Sequence, residues 1–93
     1  MKTAFEWDWR KSVANLEKHG ISFEEATEVF ADPKRIILED SKHSLKEKRF
    51  YCIGKTKMKG IIITRYTHRA GKIRIFGAGS WRKAKSIYAK ENQ

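Results

Sequence analysis

Leu16-Glu17-Lys18-His19-Gly20-Ile21-Ser22-Phe23-Glu24-Glu25-Ala26 ends one helix and opens another within a few residues, and it sets the topology of the N-terminal third. Gly20 supplies the left-handed conformation that closes a helix, and Ser22 with Glu25 three residues on forms a capping box for the next. Ile21 and Ala26 occupy the positions of a hydrophobic staple. Upstream, Asp8 is placed to cap a helix with Trp9, Val13 and Leu16 on one stripe. Downstream, Asp32-Pro33 stops the second helix after Val29 and Phe30. The expected opening is a short strand, Phe5 to Trp7, followed by a tight helical hairpin.

After Pro33 the pattern changes from helical spacing to strands. Arg35–Glu39 reads as one, Asp40–Glu47 as a charged connection, and Arg49–Gly54 as a second strand that turns through residues 55–60 into Ile61–Thr67. His68-Arg69-Ala70-Gly71 turns again into Lys72–Phe76, where Ile73 and Ile75 share one face and Arg74 takes the other. Short connections imply antiparallel pairing. Gly77-Ala78-Gly79 is expected to end the sheet, and Ser80 to cap a last helix with Trp81, Ala84 and Tyr88 along one side; Trp81 and Tyr88 are read as a core stripe, with base stacking the alternative for Trp81 and a phosphate contact that for Tyr88. The reading is a single α+β domain over residues 1–93. An N-terminal strand and helical hairpin pack on a mainly antiparallel sheet, and a basic helix closes the chain.

Composition narrows the function. A chain of 93 residues buries roughly 60–65% of its unfolded surface, which supports one modest core and argues against a large enclosed active site. Three tryptophans, five phenylalanines and the isoleucine-rich strands are expected to fill that core. Charge is unevenly placed: residues 1–33 carry four Lys/Arg and seven Asp/Glu, residues 34–93 seventeen and four. A basic half of this kind attracts polyanions and makes their binding salt-dependent, so nucleic acid is the natural ligand class, with a merely solvated surface as the alternative. The single Cys52 has no partner within the chain, which fits a reducing compartment and a small apolar strand residue. No run of about 18 apolar residues and no signal-peptide core are present, so a soluble, cytoplasmic protein with no membrane partner is expected.

No metal site is expected, because His19, His43 and His68 lie in different elements and only one cysteine exists. Nucleotide-type phosphate loops and a serine or cysteine nucleophile with a base are equally unsupported. The remaining inventory of arginine and lysine on a sheet suits RNA cleavage without metal or cofactor. There the ribose 2′-hydroxyl is the nucleophile and the protein stabilises the phosphate's developing charge.

Phe5-Glu6-Trp7-Asp8, Asn15, Lys18-His19-Gly20, Ser22-Phe23-Glu24-Glu25-Ala26, Phe30 and Asp32-Pro33 together resemble the opening of the BrnT toxins of bacterial type II toxin-antitoxin systems. The resemblance continues through Thr67 and Arg69, Ile73-Arg74-Ile75 and a basic C-terminal helix with Tyr88, and so covers nearly the whole chain. It implies a RelE-like ribonuclease fold, an RNA substrate, and neutralisation by a BrnA-like antitoxin through which alone the toxin would reach operator DNA. One departure stands out. Where these toxins carry a Ser-Ala-Arg-like triplet and then a helical glutamate, this chain has Gly77-Ala78-Gly79 and Ala84.

Arg74 is the first catalytic candidate, as a strand arginine opposite two isoleucines. Arg69 follows, because with Thr67, a candidate for holding RNA, it matches the Thr-x-Arg of the resemblance. Tyr88 is retained from the same pattern, and His68 is an acid-base candidate by residue type. Arg65, Arg82, Lys83, Lys18 and His19 are candidates for holding RNA, with Arg82 and Lys83 placed to compensate for the missing arginine. For His19 the helix dipole offers a competing explanation, since it favours a cation in the last turn by about 0.3–1 kcal/mol. Three functional classes follow: an endoribonuclease toxin, a degenerate nucleic-acid-binding module, and a structural or interaction protein.

Overall fold

Local capping fixes the first two helices of the computed structural model, which describes residues 3–93. Helix α1, Trp9–His19, is capped by the Asp8 carboxylate, which accepts from the Arg10 N–H at 2.9 Å. It closes at Gly20, whose φ of 73° is the expected left-handed stop and whose N–H donates to the Leu16 carbonyl at 2.8 Å. Both arms of the capping box form: the Glu25 N–H donates to Ser22 Oγ at 3.1 Å, and the Ser22 N–H to Glu25 Oε1 at 3.2 Å. Helix α2 is a single turn, Phe23–Ala26, which tightens into a 3-10 turn over Thr27–Ala31 rather than continuing as one α-helix to Phe30. The switch falls at Thr27, whose N–H is shared among the carbonyls of Phe23, Glu24 and Glu25 and whose hydroxyl donates to the Glu24 carbonyl at 2.7 Å.

Among the described residues the sheet has five strands in the order β1-β5-β4-β3-β2: β1 Phe5–Glu6, β2 Ile36–Glu39, β3 Arg49–Thr56, β4 Gly60–Arg69 and β5 Lys72–Gly79. Every neighbouring pair is antiparallel except β1 with β5. The β4–β5 hairpin turns on Ala70 and Gly71 alone, with φ of 53° and 77°, so His68 and Arg69 belong to the strand and not to the turn. Gly77-Ala78-Gly79 does not end the sheet. These residues pair with Arg65, Thr64 and Ile63. Strand β5 accommodates them through a bulge: Ile75 lies opposite Tyr66 and Gly77 opposite Arg65, leaving Phe76 as the extra residue. Ile75 and Ala78 thereby both point into the core, while Phe76 and Gly77 share the other face.

The hairpin layer covers one face of the sheet, where Ile21, Ala26 and Val29 pack on Cys52, Ile62, Tyr66 and Ala78. Gly54 is required there, because a Cβ at that position would lie 2.8 Å from both the Cβ and the carbonyl oxygen of Val29. Burial pushes the Cys52 thiol and the Tyr66 phenol up to about 12, so both remain neutral core groups. Helix α3, Arg82–Glu91, covers part of the second face, with Ala84 on Ile53 and Ile63 and with Ile87 and Tyr88 beside them.

Two expectations about tryptophan fail. Trp9, Val13 and Leu16 form no core stripe but face solvent, since α1 docks through its polar side. Trp81 is half-exposed and stands as the N-cap residue of α3 in place of Ser80, with no side-chain cap bond, because β5 holds the chain in the sheet through Gly79. Among the described residues no helix is long and apolar enough to cross a membrane.

Candidate functional site

Strand β1 covers only Ile73 and Arg74 of β5, which leaves the rest of that edge to be satisfied by something else. Asn15 on α1 does so. Its Nδ2 donates to the carbonyls of Ala78 at 3.0 Å and Ile21 at 2.8 Å, and its Oδ1 accepts the Ala78 N–H at 3.2 Å. The amide takes the place of a strand backbone, and Ser12 Oγ ties the same helix face to the Phe23 N–H at 3.0 Å. These bonds lay α1 along the sheet edge and bring its C-terminal end, Lys18 and His19, beside the open part of the second face.

The floor of that recess is Arg65. It lies opposite Gly77, where a Cβ would meet Arg65 Cδ and Asn15 Oδ1 at 3.9 Å, so the arginine stem crosses the space a side chain would fill. Asn15, His19, Gly79 and Trp81 surround it, and the depression continues past Lys11, Lys18 and Phe76. Phe76, on the same face as Arg74 by strand alternation, gathers cations: the Arg49 guanidinium sits 4.5 Å from the ring centre and Lys11 Nζ 5.9 Å.

Pairing separates this arginine from Arg74 and Arg69. Arg74 Nη1 bonds Glu6 Oε2 at 3.1 Å and Arg69 Nη2 bonds Glu47 Oε1 at 2.8 Å, whereas Arg65 is in no ion pair among the described residues. Its charge reaches Asp40. Burial would raise that carboxyl, but the His43 hydrogen bond, Tyr51 and the charges of His43 and Arg65 outweigh it and hold Asp40 below the usual carboxylate range. A half-buried guanidinium on a sheet floor, in no direct ion pair among the described residues, keeps donors free for an anion.

The structure brings together Arg65, Lys18 and His19 of the residues expected from sequence, and places the rest elsewhere. Thr67 is buried and its hydroxyl donates to the Lys48 carbonyl at 2.6 Å. His68 lies on the opposite face from Arg65, edge-on to Phe50 and Tyr66 at 5.7 and 5.6 Å. The Tyr88 hydroxyl donates to Asp32 Oδ2 at 2.7 Å, seven residues and about 10 Å along the helix axis from Trp81. Arg82 and Lys83 are exposed on the first turn of α3, with Lys83 bordering an apolar groove beside Leu38 and Ile87. Lys11, Arg49 and Phe76 join the site without having been anticipated, and Trp81, expected mainly as a core residue, joins them. Asn15 was visible only as part of the quoted pattern. Among the described residues no group of three or more His, Cys, Asp and Glu is arranged to hold a metal ion.

Residues 7–85 match the sequence profile of the family described as the ribonuclease toxin, BrnT, of type II toxin-antitoxin systems. In three dimensions the chain is similar to the crystal structure of the Brucella abortus ribonuclease toxin, BrnT, with a TM-score of 0.66 at 21% identity. The likeness covers 86% of this chain and 97% of that one, and at this identity it shows the fold. No curated protein matches the sequence significantly.

Proposed function

Because the chain belongs to the BrnT family of ribonuclease toxins of type II toxin-antitoxin systems, we propose that the Arg65 recess is where it binds and cleaves RNA. The ribose 2′-hydroxyl attacks the adjacent phosphorus, the 5′-oxygen leaves, and a 2′,3′-cyclic phosphate remains. Arg65 stabilises the charge that develops on the phosphoryl oxygens, His19 at the rim takes the proton of the attacking 2′-hydroxyl, and water protonates the departing 5′-oxygen. Lys11, Lys18 and Arg49 hold flanking phosphates. The nucleophile belongs to the substrate, so the scheme needs neither metal nor cofactor. Arg74 and Arg69, already paired with Glu6 and Glu47, add to the positive field without clamping the reacting phosphate.

The observation that carries this reading is the unpaired guanidinium on the floor of a basic recess open to solvent. In the same reading the fold is RelE-like and the protein acts in the cytoplasm. A BrnA-like antitoxin neutralises it by covering the recess and connects it to operator DNA. The test is an RNA with one strong cleavage position, compared with the same RNA carrying a 2′-deoxyribose there. Cleavage of the first with a cyclic-phosphate end, and binding without cleavage of the second, is the expected pair of results. Equal cleavage of both refutes 2′-hydroxyl attack.

A second reading has its own support. Gly79 stands in the recess where the resemblance implies an arginine, so one of the cations of the reacting centre is missing from its expected position. On this reading the protein retains RNA and no longer cuts it, and the all-ribose RNA is bound intact at every salt concentration that permits binding.

A further inference from the structure

Trp81 divides two depressions. One side meets Gly79, Arg65 and His19, and the other meets Leu38, Ile63 and Ile87. The residue is 48% exposed. The indole lies against Gly79. A Cβ built on that glycine would lie 3.5 Å from Nε1 and 4.0 Å from Cδ1 and Cε2, so any longer side chain would grow against the ring. The substitution that removes a cation from the recess thus leaves an aromatic surface at its wall.

Nucleobases unstacked from a single strand find partners on such surfaces. Indole stacking is tolerant of base identity and works beside cations that hold the sugar-phosphate backbone. Arg65 and Trp81 border one recess, so a phosphate on the guanidinium leaves the attached base within reach of the ring. We propose that Trp81 is a nucleobase-stacking shelf that makes this recess a single-strand subsite, an inference that rests on the RNA reading above. The far side of the ring borders an apolar groove shared with Leu38 and Ile87, and Arg65 supplies the electrostatic half of the contact.

The test uses the full chain and two fluorescein-labelled 2′-O-methyl octanucleotides, which resist cleavage: one with all its bases and one wholly abasic. Trp81→Ala is expected to weaken binding of the first by about fivefold or more and of the second by less than about twofold, following the usual size of base-aromatic contacts. Trp81→Phe should bind the based oligonucleotide within about threefold of wild type. Trp81→Leu, which keeps apolar bulk without a flat ring, should behave as alanine does. The Phe/Leu pair decides the matter even where alanine loosens α3. Equal losses on both oligonucleotides, no loss, or full binding by Trp81→Leu overturns the shelf alone. A wild-type protein that binds neither oligonucleotide overturns the RNA reading beneath it.

Discussion

Replacing Asn15 with alanine should be among the most destabilising single changes in this protein, although Asn15 belongs to no apolar stripe. Its side chain makes three bonds, to the Ile21 carbonyl at 2.8 Å, the Ala78 carbonyl at 3.0 Å and the Ala78 N–H at 3.2 Å. Ile21 and Ala78 are themselves buried, so truncation strands three backbone groups at the unfinished edge of β5. An unsatisfied buried group costs about 1–3 kcal/mol. Water entering through the adjoining recess recovers part of that, which leaves a net loss of about 2–4 kcal/mol. Against a total of roughly 5–14 kcal/mol for a chain this size, this is a large fraction. The assay is urea unfolding followed by far-UV circular dichroism, where the midpoint should fall and the slope stay constant. The apparent melting temperature should drop by about 10–25 °C. Asn15→Asp keeps the acceptor but loses both donated bonds, and should be no better than alanine. Ser12→Ala breaks one bond on the same face and should cost about 1 kcal/mol. A loss below about 0.5 kcal/mol for Asn15→Ala, or a wild-type Asn15→Asp, would refute the argument that a side-chain amide substitutes for a missing strand.

The remaining predictions concern α3 and the hairpin. Tyr88→Phe removes the hydroxyl that donates to Asp32 and should cost about 1 kcal/mol at pH 7, measured as above. The bond has a pH window. The Asp32 hydrogen bond raises the Tyr88 phenol, with burial adding to it. For Asp32, burial would raise the carboxyl, but bonds from Tyr88, the Lys34 N–H and the Lys55 N–H, with the Lys34 charge, outweigh it and set it below its ordinary 3.8. The carboxylate's contribution is present above 3.8 and lost as pH falls through the lowered value. The phenol's contribution is present below 10.0 and lost as pH rises through the raised one. The gap between wild type and Tyr88→Phe should therefore close in acid below the lowered carboxyl and in alkali above the raised phenol. Ala70→Gly relieves a non-glycine residue at φ 53° and should stabilise the protein by about 0.5 kcal/mol, after the glycine's larger unfolded-state entropy is subtracted. Differential scanning calorimetry of the two proteins reads this directly.

Much of the fold was written locally. The Asp8 cap, Gly20, the Ser22–Glu25 box and the alternation of Ile73 and Ile75 each act within four residues, and each is where the sequence puts it. The site was harder to read, because it depends on contacts between distant segments. Periodicity places Trp9, Val13 and Leu16 on one stripe, yet α1 docks by hydrogen bonds from Ser12 and Asn15, which an apolar pattern does not register. The bulge at Phe76 shifts the end of β5 by one residue, turning Gly77 outward beside Arg65 and Ala78 into the core. Arg74 was the natural favourite on residue type. Only the structure shows that Glu6 in the neighbouring strand neutralises it while Arg65 stays unpaired. Trp81 was read as core because i and i+7 share a helical face, but it precedes the helix instead of lying within it.

We propose that Arg65, and not Arg74 or Arg69, acts on the reacting phosphate. This proposal is tested most directly by single-turnover cleavage of a single-stranded RNA in EDTA. Wild-type protein is compared with Arg65→Ala, Arg74→Ala and Arg69→Ala, each shown to be folded by its unfolding midpoint. The account predicts cyclic-phosphate products, a loss of about 100-fold or more for Arg65→Ala, and losses within about tenfold for the other two. A folded Arg65→Ala that cleaves at the wild-type rate, or a loss concentrated in Arg74→Ala or Arg69→Ala, contradicts it.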